Sequence, residues 1–201
     1  MKEKKINEQE SLELITLMIQ NTRKKINENS GVPFIIWGYV TVIVSVFEFF
    51  VIYLNMNNNL MWGWFLIPIL GWSLMAIYWK RKSATNLPTT FIDRAISSVW
   101  IVIGISSLIA FPAAILYKIG ILFMMTLLMG IGTAITGLII KYNILTISGF
   151  IGIIGSLAFS LPLSINSQAS NILIFAIIFT LMMIIPGHIL NSKSKKQCLK
   201  N

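Results

Sequence analysis

The stretch IGILFMMTLLMGIGTAITGLII (119–140), the joint KYN (141–143) and the stretch ILTISGFIGIIGSLAFSLP (144–162) decide the fold of this chain. Each apolar run has the roughly 20 residues that a helix needs to cross a hydrocarbon core of about 30 Å. The short joint predicts an antiparallel hairpin. Small residues recur at helical spacing and predict a close contact between the two helices: Gly130, Ser148, Gly152 and Ser156.

The composition of the whole chain agrees with a membrane protein. Of 201 residues, 56% are hydrophobic and 11% charged, and the mean hydropathy is +0.78. The net charge of +9 does not indicate a nucleic-acid partner, because 15 of the 16 Lys and Arg residues lie in four segments that flank apolar runs. Such alternation along the chain is typical of the positive-inside rule.

The sequence therefore predicts an all-α, polytopic membrane protein with a six-helix bundle and both termini in the cytoplasm. A cytoplasmic amphipathic helix and linker (1–32) precede the membrane domain (33–190), and a basic tail (191–201) follows it. Pro68 and Gly71 predict a kink within the second span, and Pro186 with Gly187 predicts the end of the sixth. The expected spans are 33–54, 60–79, 91–116, 119–140, 144–163 and 172–190.

An amphipathic helix is predicted near the amino terminus, with Asn7 as its N-cap. Its apolar stripe ends in a basic cluster, so it fits either the anionic inner membrane surface or a cytoplasmic protein partner. The basic cluster favours the lipid surface, because it needs no protein partner there. The residues that carry this docking prediction are Leu12, Ile15, Ile19, Arg23, Lys24 and Lys25.

Glu48 is the only acid within any predicted span, and it lies in the outer third of the first one. Acids at membrane depth are costly and usually face a cavity, the bundle interior or a partner. One interpretation is an ion or substrate site where Glu48 exchanges a proton for a cation. The other is structural, with Glu48 uncharged through loss of water or paired with Lys118; the lack of a second buried acid, His or Arg favours this one.

Four residues are predicted to lie together at the cytoplasmic face: His188, Pro186, Asp93 and Arg94. A single His with no second His is a poor metal site, since zinc takes about four N, S or O ligands. The single cysteine, Cys198, excludes an internal disulfide and is expected to be a reduced thiol on the tail. No catalytic motif, metal site or cofactor site is predicted.

Four segments resemble an uncharacterised family of small bacterial inner-membrane proteins: ESLELI (10–15), MIQNT (18–22), PFIIWGY (33–39) and MIIPGHIL (183–190). The resemblance covers nearly the whole chain. It implies a bacterial inner membrane and six spans, and it directs attention to the amino-terminal helix and the Pro-Gly-His segment. It supplies no activity, substrate or ligand residues.

Two functions are compatible with these features. The first is a non-enzymatic regulatory or scaffold-like protein that meets a protein partner or the lipid surface through its amino-terminal helix. The second is a small transporter, or a substrate-binding subunit of one, with Glu48 as the ion site. Its size resembles that of the vitamin-binding subunits of energy-coupling-factor importers, but the first span lacks their Ala-x-x-x-Ala pattern.

Overall fold

A computed structural model describes residues 31–56, 58–83, 91–117, 119–159 and 167–198, and this part of the chain consists of helices and turns without any strand. The amino-terminal helix predicted over 7–26 lies outside the described residues. The helices, in chain order, are α1 (Val32–Tyr53), a 3₁₀ segment (Asn58–Phe65), α2 (Leu66–Ser83), α3 (Phe91–Tyr117), α4 (Ile121–Ile139), α5 (Asn143–Ser156), a 3₁₀ turn (Leu157–Phe159), α6 (Gln168–Phe179), a π-helical segment (Thr180–Ile184) and α7 (Ile185–Cys198).

Helices α4 and α5 form the predicted antiparallel hairpin. Their backbones touch along the whole contact, because glycines face the partner helix at successive levels. A Cβ built on Gly130 would lie 2.8 Å from the Ile153 nitrogen, and one built on Gly149 would lie 2.6 Å from Ala134 Cα. Both helices are therefore held closer together than larger side chains would allow.

The hairpin turn is a Schellman motif with Lys141 in the left-handed conformation (φ 54°). The Tyr142 N–H donates to the Gly137 carbonyl at 2.9 Å, and the Lys141 N–H donates to the Leu138 carbonyl at 3.2 Å. The end of α1 repeats this arrangement with Asn55 at φ 49°. The motif satisfies the last carbonyls of each helix and reverses the chain within a few residues.

Helix α1 packs antiparallel to α6, the π-helical segment and α7. Gly38 lies against Met183 and Ile184, and Gly31 lies against Gly187 and Asn191. Pro33 occupies the first turn of α1, where its missing N–H costs nothing. The beginning of α1 and the middle of α7 thus meet at one end of the bundle, which we call the terminal end; the opposite end is the far end.

Pro186 does not end the last span, contrary to the sequence prediction. The helix passes through it and continues to Cys198, after the π-helical segment Thr180–Ile184. Proline has no N–H to donate to the carbonyl four residues earlier, so the preceding turn widens and the Ile185 N–H donates to the Thr180 carbonyl instead. The π-helical segment absorbs the proline, and the helix continues beyond it.

The second span contains a change of helix type near its beginning rather than the expected kink at Pro68 and Gly71. The chain changes from 3₁₀ to α-helix at Leu66, and Pro68 lies in the first turn of α2 rather than in mid-helix. A proline in the first turn disturbs an α-helix less than a proline in its interior does. Gly71 instead makes room for the Trp37 ring of α1.

Helix α6 begins at Gln168, four residues before the expected start of the sixth span. Its N-cap is Ser167, whose hydroxyl oxygen accepts a hydrogen bond from the Ser170 N–H at 3.3 Å. Capping by the serine hydroxyl satisfies one of the free N–H groups of the first turn. Residues 168–171, which lie between the fifth and sixth expected spans, are thus helical.

The core lies between α1, α5 and the α6–α7 helix. Its buried residues are Phe34, Leu145, Phe175, Phe179, Met182 and Met183. Helices α2 and α3 lie at the periphery of the bundle. Only 6% of the most apolar stretch of each of these spans is buried, whereas 56% of that stretch is buried in the last span. Five described helical stretches are long and apolar enough to cross a membrane: Val32–Tyr53, Trp62–Arg81, Phe91–Ala114, Ile121–Ile139 and Gln168–Ser192.

Candidate functional site

Glu48 lies on the buried face of α1, at the far end of the bundle. The same face carries Thr41 and Ser45, one helical turn apart, so a polar stripe runs inward from Glu48 along α1. Glu48 and Ser45 are 0% exposed. The antiparallel register between α1 and the last span places Glu48 level with the first half of α6.

Both carboxyl oxygens of Glu48 are buried and have no hydrogen-bond partner among the described residues. The nearby hydroxyl of Ser45 is directed elsewhere, since it donates to the Thr41 carbonyl at 2.7 Å. A buried polar group without a partner is rare in native proteins, and such groups often have a catalytic role or bind an ion or a water molecule. Glu48 is therefore the site residue that the structure singles out most strongly.

The 3₁₀ segment Asn58–Phe65 covers the Glu48 carboxyl through Gly63. A Cβ built on Gly63 would overlap Glu48 Oε1, would lie 3.4 Å from Glu48 Cδ and would lie 3.2 Å from the Phe47 ring. Only glycine lets this backbone approach the carboxyl so closely. Gly63 was not identified from the sequence. Its position between Trp62 and Trp64 was a signal that this segment packs closely against another helix.

Aromatic side chains adjoin this cover. The Trp64 ring meets the Phe175 ring edge-on, with centroids 5.9 Å apart. Phe175 also packs on Phe179 at 4.5 Å and on Phe159 at 6.3 Å. We call Trp64, Phe159, Phe175 and Phe179 the aromatic cluster. Through the contact between Trp64 and Phe175, this cluster links the 3₁₀ segment to α6 at the level of Glu48.

The predicted pairing of Glu48 with Lys118 stays a prediction, because Lys118 lies outside the described residues. The neighbouring end of α3 does approach the cover: the Phe65 and Phe111 ring centroids are 5.4 Å apart.

Of the residues predicted for the cytoplasmic face, Pro186 and His188 lie at the terminal end, in the first turn of α7. His188 is exposed, and its Nε2 forms a hydrogen bond with the Tyr39 hydroxyl at 3.1 Å. The antiparallel packing of neighbouring helices brings Asp93 and Arg94, in the first turn of α3, to this same end. Pro186 is buried two residues before His188. Tyr39 was missed from the sequence, because the pair joins residues 149 positions apart.

Another buried polar atom without a hydrogen-bond partner lies at the terminal end. Asn191 Oδ1 has no hydrogen-bond partner among the described residues, and the Asn191 backbone lies against Gly31. The predicted docking residues Leu12, Ile15, Ile19, Arg23, Lys24 and Lys25 lie outside the described residues. The chain that carries them joins α1 at this point.

The predicted packing residues lie at helix contacts. Gly130 faces Gly152 across the α4–α5 hairpin, and Gly152 also lies against the Met182 sulfur. Ser148 and Ser156 are buried, and each donates its hydroxyl to a carbonyl three residues earlier, at 2.9 and 2.7 Å. These two hydroxyls therefore bond within their own helix.

The described part of the chain contains no group of three or more His, Cys, Asp or Glu side chains that could hold a metal ion.

The described residues are all-helical, with five helical stretches long and apolar enough to cross a membrane, and the Glu48 carboxyl among them is buried beneath the 3₁₀ segment. Comparison of the chain with protein-family models, curated proteins and solved structures finds no match. The resemblance to small bacterial inner-membrane proteins therefore stays a prediction.

Proposed function

We propose that this protein is a small membrane transporter in which Glu48 binds a cation in exchange for a proton. The observation that supports this proposal is the Glu48 carboxyl, which is 0% exposed and has no partner for either oxygen among the described residues. An unpaired carboxylate would be too costly at this depth, so the group needs a proton or a bound cation. Alternation between the two is the elementary step of proton-coupled cation transport. No enzymatic activity is part of the proposal.

The proposed topology has six spans. The apolar helix Asn143–Phe159 is shorter than the other five candidates, but α5 with its 3₁₀ turn reaches about 27 Å, close to the hydrocarbon thickness. An even number of crossings also explains why Gly31 and Asn191 meet at one end of the bundle. The charge pattern of the sequence favours the cytoplasm for that end and the bacterial inner membrane for the protein.

Transport is tested with the full chain in liposomes that hold a pH-sensitive dye and a trapped acidic interior. Addition of an external cation from a panel of sodium, potassium, guanidinium and tetraethylammonium should release internal protons. The variant Glu48→Gln should abolish the release. Ser73→Ala is the matched control, because it removes an exposed hydroxyl that bonds only its own helix, to the Ile69 carbonyl at 2.7 Å. Equal proton release by Glu48→Gln and the native chain would overturn the proposal.

A second function, regulatory or scaffold-like, is supported by the position of Gly31. The amino-terminal segment joins the bundle beside Gly187 and Asn191, next to the exposed Tyr39–His188 pair. His188, the exposed residue of the Pro-Gly-His segment, is thus available to a cytoplasmic protein or to the lipid surface at the end where the amino-terminal segment joins α1. Affinity purification of the full chain and of a version without residues 1–27 tests this function. A stoichiometric protein that is lost with the truncation supports it, and equal recovery with both versions contradicts it.

A further inference from the structure

The ligand class of the Glu48 site follows from the side chains around it. We propose that the site takes an organic monocation with apolar substituents, such as a quaternary ammonium or phosphonium ion, in preference to a metal ion. This inference rests on the proposed function and narrows it. Three observations support it: the single buried carboxyl, the shortage of other oxygen ligands and the adjoining aromatic cluster.

The charge of the site matches one positive charge. Apart from Asp93 in the first turn of α3, Glu48 is the only acid among the described residues, and neither of its oxygens has a hydrogen-bond partner there. A monocation neutralises this carboxylate completely. A dication would leave one positive charge buried in the hydrocarbon region, which is strongly unfavourable.

The described face of α1 that carries Glu48 has too few oxygen ligands for a hard metal ion. Calcium takes about six to eight oxygen ligands, and magnesium requires a nearly ideal octahedron. Among the described residues, the side-chain oxygens on the same face of α1 belong to Ser45 and Thr41, so that face offers only two hydroxyl groups beside the Glu48 carboxyl. An organic cation with apolar substituents does not need oxygen ligands, because it is weakly hydrated and its transfer out of water costs little hydration free energy.

The aromatic cluster supplies what an organic cation requires. Trp64 follows Gly63, which touches the Glu48 carboxyl, and its ring meets Phe175 at 5.9 Å. Aromatic faces attract cations, and quaternary ammonium groups are typically bound by such rings. The Glu48 carboxylate would supply charge neutralisation, and the aromatic cluster, which begins at the residue after its Gly63 cover, would supply an apolar surface for the substituents.

Binding is an exchange in which charge balances. The Glu48 carboxylic acid loses its proton to solvent, the carboxylate pairs with the incoming monocation, and the net charge of the site is zero before and after. Gly63 and the 3₁₀ segment must move to admit the ligand, since Gly63 lies against the carboxyl. The segment suits this role because 3₁₀ hydrogen bonds are weaker than those of an α-helix.

Calorimetric titration of the purified full chain in detergent tests the inference, with tetraphenylphosphonium as the probe. Titrations in two buffers of different ionisation heat should show release of about one proton per bound cation. Glu48→Gln should bind without proton release or not at all, and Glu48→Asp should retain some release. Sodium and potassium chloride at matched ionic strength should release no protons.

The aromatic cluster is tested with a matched pair of tryptophans in the same segment. Trp64→Leu should weaken binding by about 2- to 30-fold, the range expected for loss of a cation–π contact, and Trp64→Phe should weaken it less. Trp62→Leu is the control, because Trp62 is 69% exposed and stacks on Phe65 instead.

Three results would overturn the inference. One is unchanged affinity and proton release in Glu48→Gln, and another is equal affinity in Trp64→Leu and Trp62→Leu. The third is proton release by sodium or potassium but not by tetraphenylphosphonium; in that case the ligand is an inorganic cation and the transport proposal survives. Failure of every cation to release protons, in both the calorimeter and the liposomes, would overturn the two proposals together.

Discussion

The contact between α4 and α5 makes a quantitative prediction about Gly149→Ala. The new methyl carbon would lie 2.6 Å from Ala134 Cα, whereas carbon atoms in contact prefer about 3.5–4.0 Å, so the two helices must separate by about 1 Å. Overpacking of this kind costs about 1–3 kcal/mol, and the better helix propensity of alanine returns up to about 1 kcal/mol. We expect a net loss of about 1–2 kcal/mol, which lowers the folded-to-unfolded ratio about 5- to 30-fold.

The assay is unfolding in mixed micelles of a mild detergent and dodecyl sulfate, followed by the fluorescence of the six tryptophans. Gly104→Ala is the matched control, because a Cβ built on Gly104 meets no atom within 4 Å. The control should unfold at the same detergent fraction as the native chain or slightly later. If Gly149→Ala and Gly104→Ala unfold together, the close α4–α5 contact is refuted.

Three further variants follow from the structure. Gly63→Ala should displace the Glu48 carboxyl and lower cation-dependent proton release in liposomes without changing the unfolding midpoint; unchanged release would show that Gly63 does not position the carboxyl. Met182→Ala, in the core, should cost about 2 kcal/mol or more in the unfolding assay, whereas Leu108→Ala, at a side chain 76% exposed, should not; equal costs would contradict the core assignment. Lys141→Gly should stabilise the hairpin by about 1 kcal/mol, since glycine adopts the left-handed conformation without strain; a lower unfolding midpoint would contradict the turn geometry.

The helical class and the hairpin were predictable because both depend on local pattern. The apolar runs 119–140 and 144–162 fix the length of two helices, and the joint between them leaves no alternative to an antiparallel turn. Glu48 also stood out from the sequence alone, since a single acid in an apolar run is conspicuous.

Other features depend on contacts that sequence periodicity does not encode. The position of Gly63 over Glu48 can be predicted only if it is known that the 3₁₀ segment folds back over α1. The Tyr39–His188 pair joins the first and last helices of the membrane domain, which are far apart in the sequence. The π-helical segment was missed because proline usually ends or kinks a helix. Here the helix continues through Pro186 to Cys198. Met182 and Met183, within the π-helical segment before it, are packed in the core.

Glu48 is, in the function proposed above, a buried acid that exchanges its proton for a cation. Its protonation and its ligand are both probed by reaction of the full chain in native membranes with dicyclohexylcarbodiimide, which adds to protonated carboxyls from the lipid phase, followed by peptide mass spectrometry. We predict that Glu48 is modified and that tetraethylammonium protects it in a concentration-dependent manner. Absence of label on Glu48 while Asp93 is labelled, or labelling of Glu48 that no cation reduces, would contradict proton–cation exchange at this residue.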